Sequence, residues 1–245
     1  MSLANIFQKP KNVIAFGNVY PVKLKDWEEF ESNINPIILG KKHIQLNIKK
    51  DIPLFDRIIL LAESNENILE AMCTVFNIVS RTDSFRFVIG DDTYGFINAH
   101  NQIVNSINYE LIRDTILNQN ILFEPKIYKN PAVAKWATKV LEARGKNAPK
   151  ITLEDKISTV SVMSGKHYWD LAEYTIYQLN YDFNRILKIK DYESQSLVLG
   201  NPYVDMSKVK INHFAESINL YENPYDTAFK DKGKLNKLNM AIQGG

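Results

Sequence analysis

The sequence predicts an α+β fold that is predominantly helical, with two small β-hairpins in the N-terminal half and a helical C-terminal half. Three observations predict it. Two pairs of β-prone runs, each pair parted by turn residues, lie before residue 100. Apolar residues recur at i, i+3 and i+4 over residues 68–79 and again over residues 176–187, the spacing of one buried helical stripe. Hydrophobic residues make up 45% and charged residues 24% of the chain, the composition of a folded soluble protein, which excludes wholesale disorder.

Taken in order, residues 1–10 read as an arm closed by Pro10. Residues 12–16 and 19–24 flank Gly17-Asn18, a pair that tolerates the positive φ of tight hairpin turns. Pro21 cannot donate to a ladder, so the second strand is an edge. Asp26 is placed to cap a helix from Trp27, with Glu28, Glu29 and Glu31 near its positive end, and Asn35-Pro36 ends it or starts a turn. Residues 40–47 are ambiguous, with a short strand over His43, Ile44, Gln45 and Leu46 as one reading. A charged loop leads to Pro53, after which the pattern turns helical. Ile68, Leu69, Met72, Val75, Phe76 and Val79 form one stripe, with Asn65 or Ser64 as its cap. Cys73 beside the stripe reads as a buried, inert thiol.

Residues 84–89 alternate as a strand, Gly90-Asp91-Asp92 turns, and residues 93–98 return as the second hairpin. A helix follows over residues 107–118, with Ile107, Leu111, Ile112 and Ile116 on one side. Asn130-Pro131 opens another, carrying Val133, Trp136, Ala137, Val140 and Leu141 and stopped by Gly145. Residues 146–150 read as a linker. Thr152 caps the next helix and Asp155 completes a capping-box pattern, with Leu153, Ile157 and Val160 as a narrow apolar face. Gly165 stops it. Thr175 or Asp170 then starts a long helix in which Ile176, Leu179, Phe183, Ile186 and Leu187 share a stripe. Gly200-Asn201-Pro202 breaks the chain, and the polar segment from Tyr221 reads as an extended tail. The organisation expected is therefore an α+β region over 1–100, a helical region over 101–200 and a tail over 201–245.

The formal net charge of +2 comes from 30 basic and 28 acidic residues, which gives no long-range field for nucleic acid or membrane. One cysteine excludes an intrachain disulfide framework and fits a reducing compartment. Polar residues interrupt every apolar run, so no membrane-spanning helix is expected and the N-terminus carries no signal core. The expected site of synthesis and action is the cytoplasm.

Chemistry-bearing motifs are few. His43, His100, His167 and His213 are dispersed, without a second histidine or cysteine at metal-ligand spacing. Neither a phosphate-binding glycine loop nor a nucleophile elbow occurs. Gly90-Asp91-Asp92 could hold a hard cation, yet Asp in turns is explained by its bonds to nearby amides. Ser164-Gly165-Lys166 reads as a helix stop with a solvated lysine. No cofactor and no metal are expected. The densest aromatic run, Tyr168, Trp169, Tyr174, Tyr177, Tyr181 and Phe183, could stack bases beside Lys188 and Lys190. Asp170, Glu173, Asp182 and Asp191 interrupt that positive track, so core packing plus a protein-facing surface is the better reading. Lys230, Lys232, Lys234 and Lys237 read as a solvated tail that an acidic partner could touch.

The runs NYELIRDTILNQNILFEPKIYKNP (108–131) and LEDKISTVSVMSGKHYWDLAEYTIYQLNYDFNRI (153–186) resemble tail-assembly proteins of bacteriophages, which include tail-assembly chaperones and tail or baseplate morphogenesis factors. The resemblance spans residues 84–193, and Thr175-Ile176-Tyr177-Gln178-Leu179 is its most recognisable piece. It lies in hydrophobic pattern and helix placement and supplies no active-site residue. It implies a non-enzymatic role in the host cytoplasm, binding a tape-measure-like or baseplate protein during assembly. The alternatives left open are a tail or baseplate component retained in the virion and, less favoured, a nucleic-acid-binding factor; self-association into an oligomer is also left open, and no membrane partner is expected. Tyr168, Trp169, Tyr174, Tyr177 and Tyr181 are the partner-binding candidates.

Overall fold

The computed structural model describes residues 3–44, 51–90, 94–128, 130–135, 137–139, 150–199 and 212–222. Its elements run α1 (Leu3–Ile6), β1 (Lys11–Val13), β2 (Gly17–Val19), a 3-10 turn (Leu24–Asp26), α2 (Trp27–Asn33), α3 (Asn35–Ile38), α4 (Leu54–Ala62) and α5 (Asn67–Ser80). They continue with β3 (Arg86–Ile89), β4 (Tyr94–Ile97), β5 (Ile103–Val104), α6 (Tyr109–Gln119), α7 (Leu153–Ser164), α8 (Tyr168–Ala172) and α9 (Ile176–Leu199). This is the expected α+β architecture: two small antiparallel sheets in the N-terminal half, helices after them.

Helix α5 is the pillar, because its stripe of Met72, Val75, Phe76 and Val79 is wholly buried. The first hairpin, α2, α3, α4 and β3 all pack on it. Phe76 is the hub of an aromatic cluster, edge-on to Phe96 at 5.1 Å and to Phe16 at 6.2 Å. Phe55 joins Phe96 to Tyr109 of α6, with its ring 5.3 Å from the tyrosine. Offset and edge-on pairs of this kind add stabilisation beyond the area they bury. Cys73 is half-buried beside the stripe, and burial pushes its thiol up to about 11, which keeps it protonated and unreactive at neutral pH.

The hairpins differ from expectation in detail. β1 pairs with β2 so that Val13 faces Gly17, which puts the turn at residues 14–16 and places Gly17-Asn18 inside the second strand. Ala15 adopts the left-handed φ of +64° at the turn, and its carbonyl accepts from the Ile103 amide at 2.8 Å. The strain is held by this tertiary bond, which no local turn signal announces. β3 and β4 pair as expected, Phe87 opposite Phe96, and β5 adds a third strand of only two residues. The expected arm is instead helix α1, whose Asn5 is buried and donates to the Tyr221 hydroxyl.

Two expectations for α6 are corrected. Ile107 is 90% exposed and Leu111 47% exposed, whereas Tyr109, Ile112, Arg113 and Ile116 are buried. The core side of α6 is set by what packs on it. Arg113 donates from Nε to the Ile37 carbonyl at 2.7 Å, and from Nη2 to the Ile38 carbonyl at 2.8 Å and Glu124 Oε2 at 2.9 Å. Its charge is tolerated in the core because two carbonyls and a carboxylate receive its Nε and Nη2 donors, with Asp114 Oδ1 3.5 Å from Nη1. Asp26 and Asn65 also fall short of full caps: Asp26 makes no side-chain cap bond, and the Asn65 side chain, one residue before the cap position, accepts from the Asn67 amide.

Asn130 Oδ1 accepts from the Ala132 amide at 2.8 Å, and the chain is helical at 131–135 and 137–139. Trp136, Val140, Leu141, Gly145, the linker 146–149, Gln45, Leu46, residues 48–50, Asp91, Asp92, Gly200-Asn201-Pro202 and the tail beyond Glu222 lie outside the described residues. One hydrophobic cluster joins Val13 in the first hairpin to Val160, Leu179 and Phe183 in the C-terminal helices.

Candidate interaction surface

Each turn between α7, α8 and α9 is fixed by a cap written in the sequence. The Thr152 hydroxyl accepts from the Asp155 amide at 3.2 Å, and Asp155 Oδ2 accepts from the Thr152 amide at 2.9 Å, a complete capping box. These bonds from Thr152 hold the Asp155 carboxyl below the usual carboxylate range. Gly165 ends α7 with φ +71°, and Ser161 Oγ donates to the Lys166 carbonyl at 2.7 Å. Asp170 Oδ2 then accepts from the His167 amide at 3.2 Å to start α8. The Thr175 amide donates to Gln178 Oε1 at 2.9 Å, while the Gln178 amide donates to Thr175 Oγ1 at 3.3 Å, starting α9. Of the two alternative starts for the long helix, Thr175 is the one used, whereas Asp170 is the third residue of a separate five-residue helix, α8, that begins after His167 and that the sequence pattern does not announce.

Helix α7 lies on α9 through Val160, Leu179 and Phe183, all buried, with Ile157, Leu153 and Ile186 packed at the edge. Lys156 Nζ crosses to Asn180 Oδ1 at 2.8 Å. The pair is fastened to the N-terminal half at the α8–α9 junction. The Leu24 amide donates to the Tyr174 carbonyl at 2.8 Å, and Glu173 receives both Lys23 and Lys25, the latter at 2.6 Å. The two lysines hold the Glu173 carboxyl down to about 2. Gln178 ties α9 to the end of α1 and the residues after it, accepting from Gln8 Nε2 at 2.8 Å and donating from Nε2 to the Ile6 carbonyl at 2.7 Å.

On this frame the five aromatic candidates separate. Tyr177 is 1% exposed, its ring between those of Tyr181 and Tyr221 at 6.1 Å each, so it is a core side chain with no surface to offer. Tyr181 is half-buried beside it. Tyr174 is packed against the core and its hydroxyl takes Lys166 Nζ. Only Tyr168 and Trp169 stand out from the surface, Trp169 at 84% exposure. Val162 and Met163, on the other side of the Gly165 turn, are exposed as well. Four apolar side chains thus gather within residues 162–169, at a turn whose glycine has no atom within 4 Å of where a Cβ would stand. Val162 was missed in the sequence although a signal existed, since it lies on the side of the helix opposite the Leu153, Ile157 and Val160 stripe; Met163, three residues after Val160, follows the stripe's spacing yet is exposed beside the helix end. Apolar residues off the buried stripe of an amphipathic helix face solvent or a partner.

Chemistry elsewhere is sparse. Among the described residues no three His, Cys, Asp or Glu side chains are grouped closely enough to hold a metal ion. A cleft of about 460 Å³ beside the 3-10 turn is lined by Lys23, Lys25 and Arg81 on one account and Asp26, Glu29 and Asp83 on the other. Opposite charges in equal number, with Lys23 and Lys25 already on Glu173, leave no convergent field there. No helix among the described residues is long and apolar enough to cross a membrane.

The family model described as "YomV second domain" matches residues 145–219, the stretch that holds α7, α8 and α9. Over 228 residues the chain is 23% identical to the "SPbeta prophage-derived uncharacterized protein YomV" of Bacillus subtilis (strain 168), covering 91% of both chains. No solved structure matches. The likeness is thus to a phage-derived protein along nearly the whole chain, and tail assembly is no part of what it carries.

Proposed function

We propose that this chain is a non-enzymatic bacteriophage protein that binds another phage protein during particle morphogenesis, through the apolar tip at the Gly165 turn. The observation that carries the reading is the exposure of Tyr168 and Trp169 on one side of the Gly165 turn and of Val162 and Met163 on the other, between helices that are capped and packed. Large aromatic side chains on a rigid support lose little entropy on binding and are the usual anchors of protein interfaces. The likeness to a prophage-derived protein supports a phage context. The earlier resemblance to tail-assembly proteins makes a tape-measure-like or baseplate protein the partner to test first.

The experiment is tagged wild-type chain against Tyr168→Ser/Trp169→Ser in cells producing the phage. Copurified phage proteins are identified by mass spectrometry, and purified particles are analysed in parallel. A phage structural protein bound by wild type and lost from the double variant is the expected result. An unchanged partner set sinks the reading. Fixed-copy presence of the chain in mature particles would replace the chaperone role by that of a tail or baseplate component.

A further inference from the structure

A second apolar surface is built from N-terminal elements alone. Ile59 and Leu60 of α4, Leu69 of α5, Phe87 and Ile89 of β3 and Tyr94 of β4 line a groove of about 340 Å³. Ile89 is 77% exposed, an isoleucine left in water at the end of a strand. The wall beside it is firm: the Tyr94 ring stacks on Phe55 at 6.0 Å, and its hydroxyl donates to Asp56 Oδ1 at 2.8 Å. At the rim, on the connection between α4 and α5, stand the exposed carboxylates of Glu63 and Glu66. Neither makes an ion pair among the described residues.

We propose that this groove docks a basic amphipathic helix of a partner protein. Its apolar face lies on Leu60, Leu69 and Ile89, and its lysine or arginine side chains lie over Glu63 and Glu66. A helix presents apolar anchors at i, i+3 and i+7 along one side, which an apolar groove recognises, while unpaired carboxylates at the rim select cations and reject an acidic helix. This surface does not depend on the partner assigned to the Gly165 turn.

The test is fluorescence anisotropy of the full chain with a labelled peptide of about 15 residues, long enough for helix, carrying leucines at i, i+3 and i+7 with lysines between them. A sister peptide has glutamates in place of the lysines. The lysine peptide is expected to bind at least about tenfold more tightly than its sister. Ile89→Asp, and Glu63→Lys with Glu66→Lys, are each expected to lower its affinity by a similar factor without moving Tm. Equal binding of the two peptides, or binding indifferent to Ile89→Asp, overturns the proposal. Tighter binding after Lys230, Lys232, Lys234 and Lys237 are changed to Gln also overturns the partner assignment, because it gives the groove to the chain's own C-terminal segment.

Discussion

Arg113 shows most clearly how a single residue departs from what the sequence pattern offers. It sits on the core side of α6 because the Ile37 and Ile38 carbonyls and Glu124 complete its hydrogen bonds. Arg113→Leu leaves two carbonyl groups without their donor, at a cost of about 1–3 kcal/mol each. Urea denaturation should show a loss of about 3 kcal/mol, and Arg113→Lys should not restore it, since an ammonium lacks the planar fork. A stability change within about 0.5 kcal/mol, the range of ordinary surface substitutions, would contradict this account. Periodicity could not have found the residue, because a charge in an apolar stripe is readable only once its oxygen partners are folded around it. The same limit explains Ile107 and Leu111, where apolar character suggested burial that the neighbours do not provide.

Among the elements, legibility follows how local the determinant is. The Thr152 capping box, the Gly165 stop, the α5 stripe and the β3–β4 hairpin are written in neighbouring residues, and each is found where the sequence places it. The turn of the first hairpin is not local: Ala15 takes φ +64° with its carbonyl bonded to Ile103, so the Gly17-Asn18 signal misplaced it. The five residues of α8 and the two of β5 are too short for any period to register. The Gly165 turn allows a direct check. Its Cβ direction is empty, so Gly165→Ala is opposed only by the left-handed backbone, at about 1–2 kcal/mol. Thermal denaturation should show that loss, and an unchanged or raised Tm would mean the turn is not held in this conformation. Of the five aromatic candidates, the sequence does not tell which rings face out. That choice is made by Tyr221, Asn5 and Gln178, residues that tie α9 to α1 and α6 from far along the chain.

For the whole molecule, the joint between the two halves is electrostatic at its surface and apolar beneath. Glu173 is half-exposed, so its two lysine contacts are screened by solvent and contribute modestly. The direction of their pH dependence is still defined. The folded carboxyl titrates near 2, below its ordinary 4.5, so its contribution is present above about pH 4.5 and is lost as pH falls through 2. Stability measured from pH 5 to 2 should therefore fall more steeply in wild type than in Glu173→Gln, and parallel curves would count against the joint. The central claim is that α7, α8 and α9 form a packed support whose buried Tyr177 holds the fold while exposed Trp169 meets a partner. The most direct measurement sets Trp169→Ala beside Tyr177→Ala, reading unfolding free energy and phage-partner retention in each. The account predicts that Tyr177→Ala loses about 3–5 kcal/mol, whereas Trp169→Ala keeps wild-type stability and loses the partner. Partner retention by Trp169→Ala would contradict it.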